Sequence, residues 1–301
     1  MGCARPPHHL RAVGAMISGG SRTLGDALQF ATDTLEKTTI DGYDVEARLL
    51  TQWACGVERI DFVKRPNLLI SNDKIEILEA VLARRIAGEP VHRIMGFRYF
   101  YGLKLNLAPE TLEPRPDSEV LIDLALELLG TNLPKTILDL GTGTGALALA
   151  LLSVFPQATV IATDISAGAL DIATKNASSN GLLSRFSGLQ SDWFQKITGK
   201  FDLIVSNPPY IRSSVIPDLD IEVRNHDPLL ALDGGPDGLT PYRIIASEAK
   251  NHLKINGLVL VEIGFDQAVD VANLFKSSGF TKVKLQQDFG GRDRILAFGF
   301  A

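Results

Sequence analysis

The residues with the clearest chemical potential are Asn207-Pro208-Pro209-Tyr210. They follow the apolar run Phe201-Asp202-Leu203-Ile204-Val205-Ser206. The run reads as a buried strand, and the four residues form a turn at its end. Two prolines remove two backbone donors and fix the chain direction. The residue before each proline is pushed out of the helical region. What remains is a rigid corner with one side-chain amide, bare carbonyls and an aromatic ring. Such a corner suits a planar NH2 group. The Asn207 side-chain oxygen and the Pro208 carbonyl can each accept one N–H, and Tyr210 can stack on the flat face. The plain alternative is a proline-stiffened loop, which these dipeptides often mark.

Chemistry at such a corner needs a second component, and the upstream sequence offers one. Thr136-Ile137-Leu138-Asp139-Leu140 reads as a strand. Gly141-Thr142-Gly143-Thr144-Gly145 follows as a turn, and Ala146 to Leu152 as an apolar helix. The glycine spacing is not that of dinucleotide folds, and Ala146 stands where a phosphate-binding loop would need Lys. An acid before a glycine turn with no phosphate clamp fits a cationic, phosphate-free nucleoside such as S-adenosylmethionine. Asp164 ends the next strand, about 20 residues past the turn, where α/β folds hold a ribose diol. Its alternative is a helix cap before Ile165-Ser166-Ala167. Asp192, beside Trp193 and Phe194, ends a third strand and can accept from the adenine amino group. Its alternative is a loop acid beside core aromatics. Ligands of open α/β sheets bind at strand carboxyl ends, so these features in order are more specific together than singly.

Asp139 to Gly145, Asp164 and Asn207 to Tyr210 together resemble the Rossmann-like S-adenosylmethionine methyltransferases that modify planar amino groups. More narrowly, the chain resembles the glutamine N5-methyltransferases of peptide chain release factors. Glu113-Pro114-Arg115-Pro116-Asp117-Ser118-Glu119 is similar to that family's Pro-Arg-Pro-x-Thr-Glu segment, with Ser118 in place of the usual Thr. Gly88-Glu89-Pro90 to Gly96, Ala231 to Leu239 and Asp288 to Arg294 are similar to further family segments. His226-Asp227-Pro228 departs from the usual pattern. The resemblance implies an α/β fold: a seven-stranded Rossmann-like methyltransferase sheet, a small N-terminal helical domain and a linking β-hairpin.

It also implies methyl transfer from S-adenosylmethionine to the amide N5 of the glutamine in the release factors' Gly-Gly-Gln motif. Asn207, Pro208 and Tyr210 are then the expected catalytic residues. Asp139, Gly141, Thr142, Gly143, Gly145, Asp164, Asp192, Trp193 and Asn207 are expected to hold the cofactor. Asn207, Pro208, Pro209, Tyr210, Arg115 and Glu119 are expected to hold substrate. Arg115, fixed between prolines, can hold a carboxylate or substrate backbone; its alternative is an interdomain ion pair with Glu119 or another acid. No metal is expected.

The elements that position these residues follow from patterning. The expected divisions are an extension over residues 1–20, a helical domain over 21–90, a hairpin over 91–110 and a methyltransferase domain over 111–301; that the helical domain recognises the substrate is what the resemblance implies. Met16 is an alternative start. Helical spacing joins Leu24, Ala27, Leu28, Ala31 and Leu35, then Val45, Leu49, Leu50 and Trp53, then Ile75, Ile77, Leu78, Val81, Leu82 and Ile86. Gly102 marks the hairpin turn. Strands are expected near 136–140, 158–163, 185–190, 201–206, 256–262, 281–286 and 294–299. Alternation with helices makes the sheet mostly parallel, with an antiparallel pair at the end of the chain.

At 301 residues the chain suits two domains. Its hydrophobic share of 45% and charged share of 22% suit a globular protein. A net charge of −5 argues against a broad grip on nucleic acid. Two cysteines and scattered histidines give neither a disulfide framework nor a zinc pattern. A cytoplasmic monomer with release factors as protein partners is expected, with no membrane and no direct nucleic-acid binding. Rival readings are glutamine methylation of a ribosomal protein and methylation of an exocyclic base amine. The latter requires base flipping.

Overall fold

A computed structural model describes residues 22–300. The extension expected over residues 1–20, with its alternative start at Met16, lies outside the described residues. The chain divides after Met95 into two units.

The first unit runs β1 (Arg22–Thr23), α1 (Leu24–Leu35), α2 (Tyr43–Cys55), α3 (Asp61–Lys64), β2 (Leu69–Ile70), α4 (Asn72–Ile86) and α5 (Val91–Met95). Thr23 and Asp26 exchange hydrogen bonds at the start of α1, with the Thr23 oxygen accepting from the Asp26 N–H at 3.2 Å and an Asp26 oxygen accepting from the Thr23 N–H at 3.0 Å. This reciprocal cap satisfies two of the donors that a helix start leaves open. The antiparallel β1–β2 pair departs from the all-helical expectation; two residues are too few for a strand's alternation to show. The helices bury Leu24, Ala27, Ala31, Ala47, Leu50 and Leu78 against one another. Val45, Trp53, Ile77 and Ile86 lie exposed instead. Small residues explain α2: Ala47, Leu50, Thr51 and Ala54 form its close-packed face, so the larger residues fall to its edges.

The second unit opens with a hairpin, β3 (Phe97–Phe100) and β4 (Leu103–Asn106), turning at Tyr101-Gly102. There follow α6 (Glu119–Leu129), β5 (Thr136–Leu140), α7 (Ala146–Val154), β6 (Thr159–Asp164), α8 (Ala167–Ser179), β7 (Phe186–Gln190), β8 (Phe201–Ser206), α9 (Ile221–His226), α10 (Leu229–Leu232), α11 (Thr240–His252), β9 (Leu253–Glu262), α12 (Ala268–Ser277), β10 (Thr281–Gln287) and β11 (Asp293–Gly299). One sheet of seven strands forms in the order β10-β11-β9-β8-β5-β6-β7. Strands β9, β8, β5, β6 and β7 run parallel, and β11 and β10 add antiparallel. Both sheet faces are covered, as a parallel sheet requires. One face packs residues such as Leu121, Leu149 and Ala173 of α6, α7 and α8. The other packs Tyr242, Ile245 and Phe275 of α11 and α12. Helix α7 is apolar all round and buried from Leu147 to Leu152, which is what a helix beneath a second layer needs. The chain leaves β5 towards β6 and β7, then returns to place β8 on the other side of β5. This switch point opens a crevice at the carboxyl ends of β5 and β8.

Candidate active site

A cavity of about 630 Å³ occupies that crevice, lined among others by Asp139, Gly141, Gly143, Asp164, Asp192 and Asn207. Asp139, at the end of β5, is 1% exposed. Its Oδ2 accepts from the Thr142 hydroxyl at 2.7 Å, while its Oδ1 has no protein partner. Burial pushes its carboxyl up to about 7, against the Thr142 hydroxyl and the Ala148 N–H, which favour the charged form. Gly141 and Gly143 take positive φ (71° and 54°), with open space where a side chain would stand. Thr142 also lines the cavity. Gly145, expected at the cofactor, is not on the wall. A Cβ there would come within 3.2 Å of the Ala173 Cβ, so this glycine serves the packing of α7 on α8.

Asp164, at the tip of β6, accepts from the Gly143 N–H at 2.9 Å and from the Ser166 N–H at 2.9 Å. Burial raises its pKa, opposed by these backbone donors. The side-chain cap of α8 is Ser166, which accepts from the Ala169 N–H. Asp164 therefore ties the glycine turn to β6, with lone pairs remaining on both oxygens. Asp192 and Trp193 both line the cavity after β7. Asp192 is exposed and accepts from the Gln195 amide at 2.9 Å. Trp193 holds a positive φ of 47° and packs against the core.

The proline corner ends β8. Just before it, the Ser206 hydroxyl donates to the Leu140 carbonyl at 2.7 Å, joining the ends of β8 and β5. Asn207 and Pro209 reach the cavity wall, whereas Pro208 and Tyr210 do not. Pro208 is buried. The Tyr210 hydroxyl donates to Glu262 at 3.4 Å, and its carbonyl accepts from Gln267 at 3.1 Å. The tyrosine thus anchors the corner from behind, in place of the expected face on the cavity. The glycines after Asp233 press on the same corner: a Cβ on Gly234 would sit 2.8 Å from the Tyr210 Cα and 2.9 Å from the Pro209 oxygen. Gly234 also donates to the Ile211 carbonyl at 2.8 Å.

The Pro114-to-Glu119 segment splits in two. Arg115 lines the cavity and donates to Asp227 at 2.8 Å. Its partner is thus another acid than Glu119, as the alternative reading allowed, but it lies in the same unit and not across domains. Glu119 stands off the wall, where it accepts from the Tyr101 N–H at 2.8 Å and so fixes the hairpin turn. Sequence reasoning missed Ser118, named only as a departure, and Glu262, not named at all. Ser118 lines the cavity and accepts from the Asn207 amide at 3.3 Å. Its hydroxyl donates to Glu262. Burial pushes the Glu262 carboxyl up to about 7, although the Ser118 hydroxyl, Arg294 and the Tyr210 hydroxyl favour its charged form. A lone acid in the apolar run Leu258 to Ile263 was the available signal.

Five carboxyl groups line the cavity (Glu110, Asp139, Asp164, Asp192 and Asp233) against one guanidinium, that of Arg115. Such a wall repels phosphate and attracts a cation. The orphaned Asp139 Oδ1 is a buried acceptor on a residue of the cavity wall, a costly arrangement without a donor. Together with the open glycine turn, these residues fit S-adenosylmethionine, which carries an ammonium, a sulfonium and a ribose diol but no phosphate.

Two family models match: the methyltransferase small domain over residues 118–220 and the PrmC N-terminal domain over residues 26–96. The release factor glutamine methyltransferase of Agrobacterium fabrum is 51% identical, covering 94% of this chain and 99% of that one. The protein of the same name from Caulobacter vibrioides is 41% identical over 91% of this chain and 95% of its own. Among solved structures, a methyltransferase from Pyrococcus furiosus shares the fold, with a TM-score of 0.50 at 20% identity, covering 73% of this chain and 97% of that one.

Proposed function

We propose the reaction from the premise that the chain belongs to the release factor glutamine methyltransferase family. It is a methyltransferase that uses S-adenosylmethionine to methylate glutamine in peptide chain release factors. The acceptor is the amide N5 of the glutamine in their Gly-Gly-Gln motif. The observation that carries the reading is Asn207 on the wall of a carboxylate-lined cavity, at the rigid end of β8.

S-adenosylmethionine supplies an electrophilic methyl carbon on a positively charged sulfur. Asp139, Gly141, Thr142, Gly143, Asp164, Asp192 and Trp193 hold it; Gly145 contributes through the packing of α7. The remaining work falls to the corner. An amide nitrogen is a weak nucleophile because its lone pair is shared with the carbonyl. The Asn207 oxygen accepts one N–H of the glutamine, and Pro208, buried off the cavity wall, stiffens the corner that carries it. This acceptor aims the nitrogen and stabilises the positive charge that grows on it, the preorganised electrostatics expected to dominate. Alignment supplies much of the rest. The surplus proton leaves N5 for water, so no strong base is required. Arg115, oriented by Asp227, holds substrate backbone at the mouth. The helical unit contributes to gripping the release factor, and such a partner places the protein in the cytoplasm.

Among the described residues, no helix is long and apolar enough to cross a membrane. The test is to supply labelled cofactor with separate pools of release factor, ribosomal protein and DNA, and to map the methyl group by mass spectrometry. Label on the Gly-Gly-Gln glutamine is expected. Label on a ribosomal protein or on a base, with none on the release factor, overturns the substrate.

A further inference from the structure

Behind Asn207 a run of hydrogen bonds leads away from the cavity into the protein. The Asn207 amide nitrogen donates to the Ser118 hydroxyl oxygen at 3.3 Å. The Ser118 hydroxyl donates to Glu262 Oε2, and the Tyr210 hydroxyl donates to Glu262 Oε1 at 3.4 Å. Glu262 is 2% exposed, at the last position of β9. The Tyr242 hydroxyl donates to its backbone carbonyl at 2.7 Å. We propose that Glu262 is a positioning residue for methyl transfer, using the single proton of Ser118 to hold the Asn207 amide with its oxygen as the group offered to substrate. This rests on the reading that Asn207 accepts an N–H of the glutamine.

The number of protons available fixes the direction of each bond. An ionised carboxylate only accepts, and a hydroxyl has one proton and two lone pairs. Once Ser118 gives its proton to Glu262, it presents only lone pairs to Asn207. The asparagine must then face Ser118 with its NH2, as it does. Its oxygen remains as the accepting end. Turned over, the amide would set an NH2 against the NH2 of the glutamine, donor against donor. A neutral group in place of Glu262 would not impose this direction. Burying a carboxylate where apolar residues would pack is expensive, and the cost is intelligible if its charge sets a polarity.

The groups facing Glu262 are Ser118, Tyr210 and Tyr242, the Arg294 guanidinium, and Asp117, which repels it. Arg294 is itself held by Asp288 at 2.9 Å and by the Ile263 carbonyl at 3.2 Å. Since burial brings Glu262 to about 7, its protonated form is accessible near neutrality. That form donates to Ser118, whose proton then turns to the Asn207 oxygen and reverses the amide.

The experiment is a set of single-turnover rates at saturating cofactor, with release factor as substrate, on the full chain. Ser118→Ala should lower the rate about tenfold, the scale of one lost orienting hydrogen bond. Ser118→Thr keeps the hydroxyl and should recover most of the loss. In an Asn207→Ala background, Ser118→Ala should add almost nothing, because the relay then has nothing to orient. The wild-type rate should fall as pH drops below about 7, and this limb should vanish in Glu262→Gln and in Ser118→Ala. At any one pH, cofactor affinity should stay level across the variants. Independent, multiplying effects of Ser118→Ala and Asn207→Ala would overturn the proposal, as would an acid limb that survives in both variants. Should Ser118→Ala fail to fold, Ser118→Thr and Glu262→Gln carry the pH comparison alone. Full activity of Asn207→Ala by itself would instead remove the reading on which the proposal stands.

Discussion

Asp139 combines two features that rarely coexist in a resting protein: full burial, and an oxygen with no donor. A cation arriving near it favours its ionised form, so binding and deprotonation are linked. With its carboxyl raised to about 7, cofactor affinity should weaken below that pH by up to about tenfold per unit. Calorimetric titrations from pH 5.5 to 8.5 measure this directly. Asp139→Asn should bind weakly and with a flat profile; a wild-type affinity independent of pH contradicts the linkage. At this scale the sequence was informative about residue type and less so about direction. Asp139, Asp164 and Asn207 reach the cavity as their motif positions suggest. Gly145, Glu119 and Tyr210 sit in the same motifs but serve a helix contact, a hairpin turn and an anchor. A one-dimensional motif holds residues that build the wall together with residues that brace it, and only packing separates them.

At the scale of elements, the corner after β8 is held by the segment from Asp233 to Leu239. Gly234 lies against the backbone of Pro209 and Tyr210 with no room for a methyl group. Gln267 bridges the Tyr210 and Gly238 carbonyls from the start of α12. Gly234→Ala should therefore displace the corner while leaving the glycine turn after β5 intact. A stability loss of about 1–3 kcal/mol is expected from such overpacking, with a large fall in kcat and little change in cofactor affinity. Melting curves and turnover per folded molecule check it; unchanged turnover would show that the corner tolerates the shift. Helices and strands of the sheet were legible because apolar runs alternate with helical spacing. The β1–β2 pair was not, since two residues carry no period. The outward turn of Val45 and Trp53 was not either, because the small residues Ala47, Thr51 and Ala54 decide which face of α2 packs.

For the whole molecule, two buried acids set an unusual pH dependence of stability. The folded carboxyls of Asp139 and Glu262 lie near 7, above their ordinary values of 3.8 and 4.5. Between those limits the folded chain binds more protons than the unfolded chain, so their contribution falls as pH rises through about 4 to 7. The penalty is absent at lower pH and fully present above 7. Asp139→Asn removes its share, so its stability gain over the cofactor-free wild type should grow with pH, to on the order of 4 kcal/mol at pH 8. Denaturant midpoints at pH 4.5, 6 and 8 test this, and a constant gap contradicts it. The same burial that costs stability shapes the site, and turnover by the whole protein reports whether it succeeds. The most direct measurement is therefore the single-turnover rate of Asn207→Ala with release factor, alongside its affinity for S-adenosylmethionine. A rate lower by about 100-fold, or ~3 kcal/mol, with affinity nearly unchanged is the predicted result. A rate equal to that of the wild type would contradict the claim that this side-chain oxygen holds the glutamine amide for methylation.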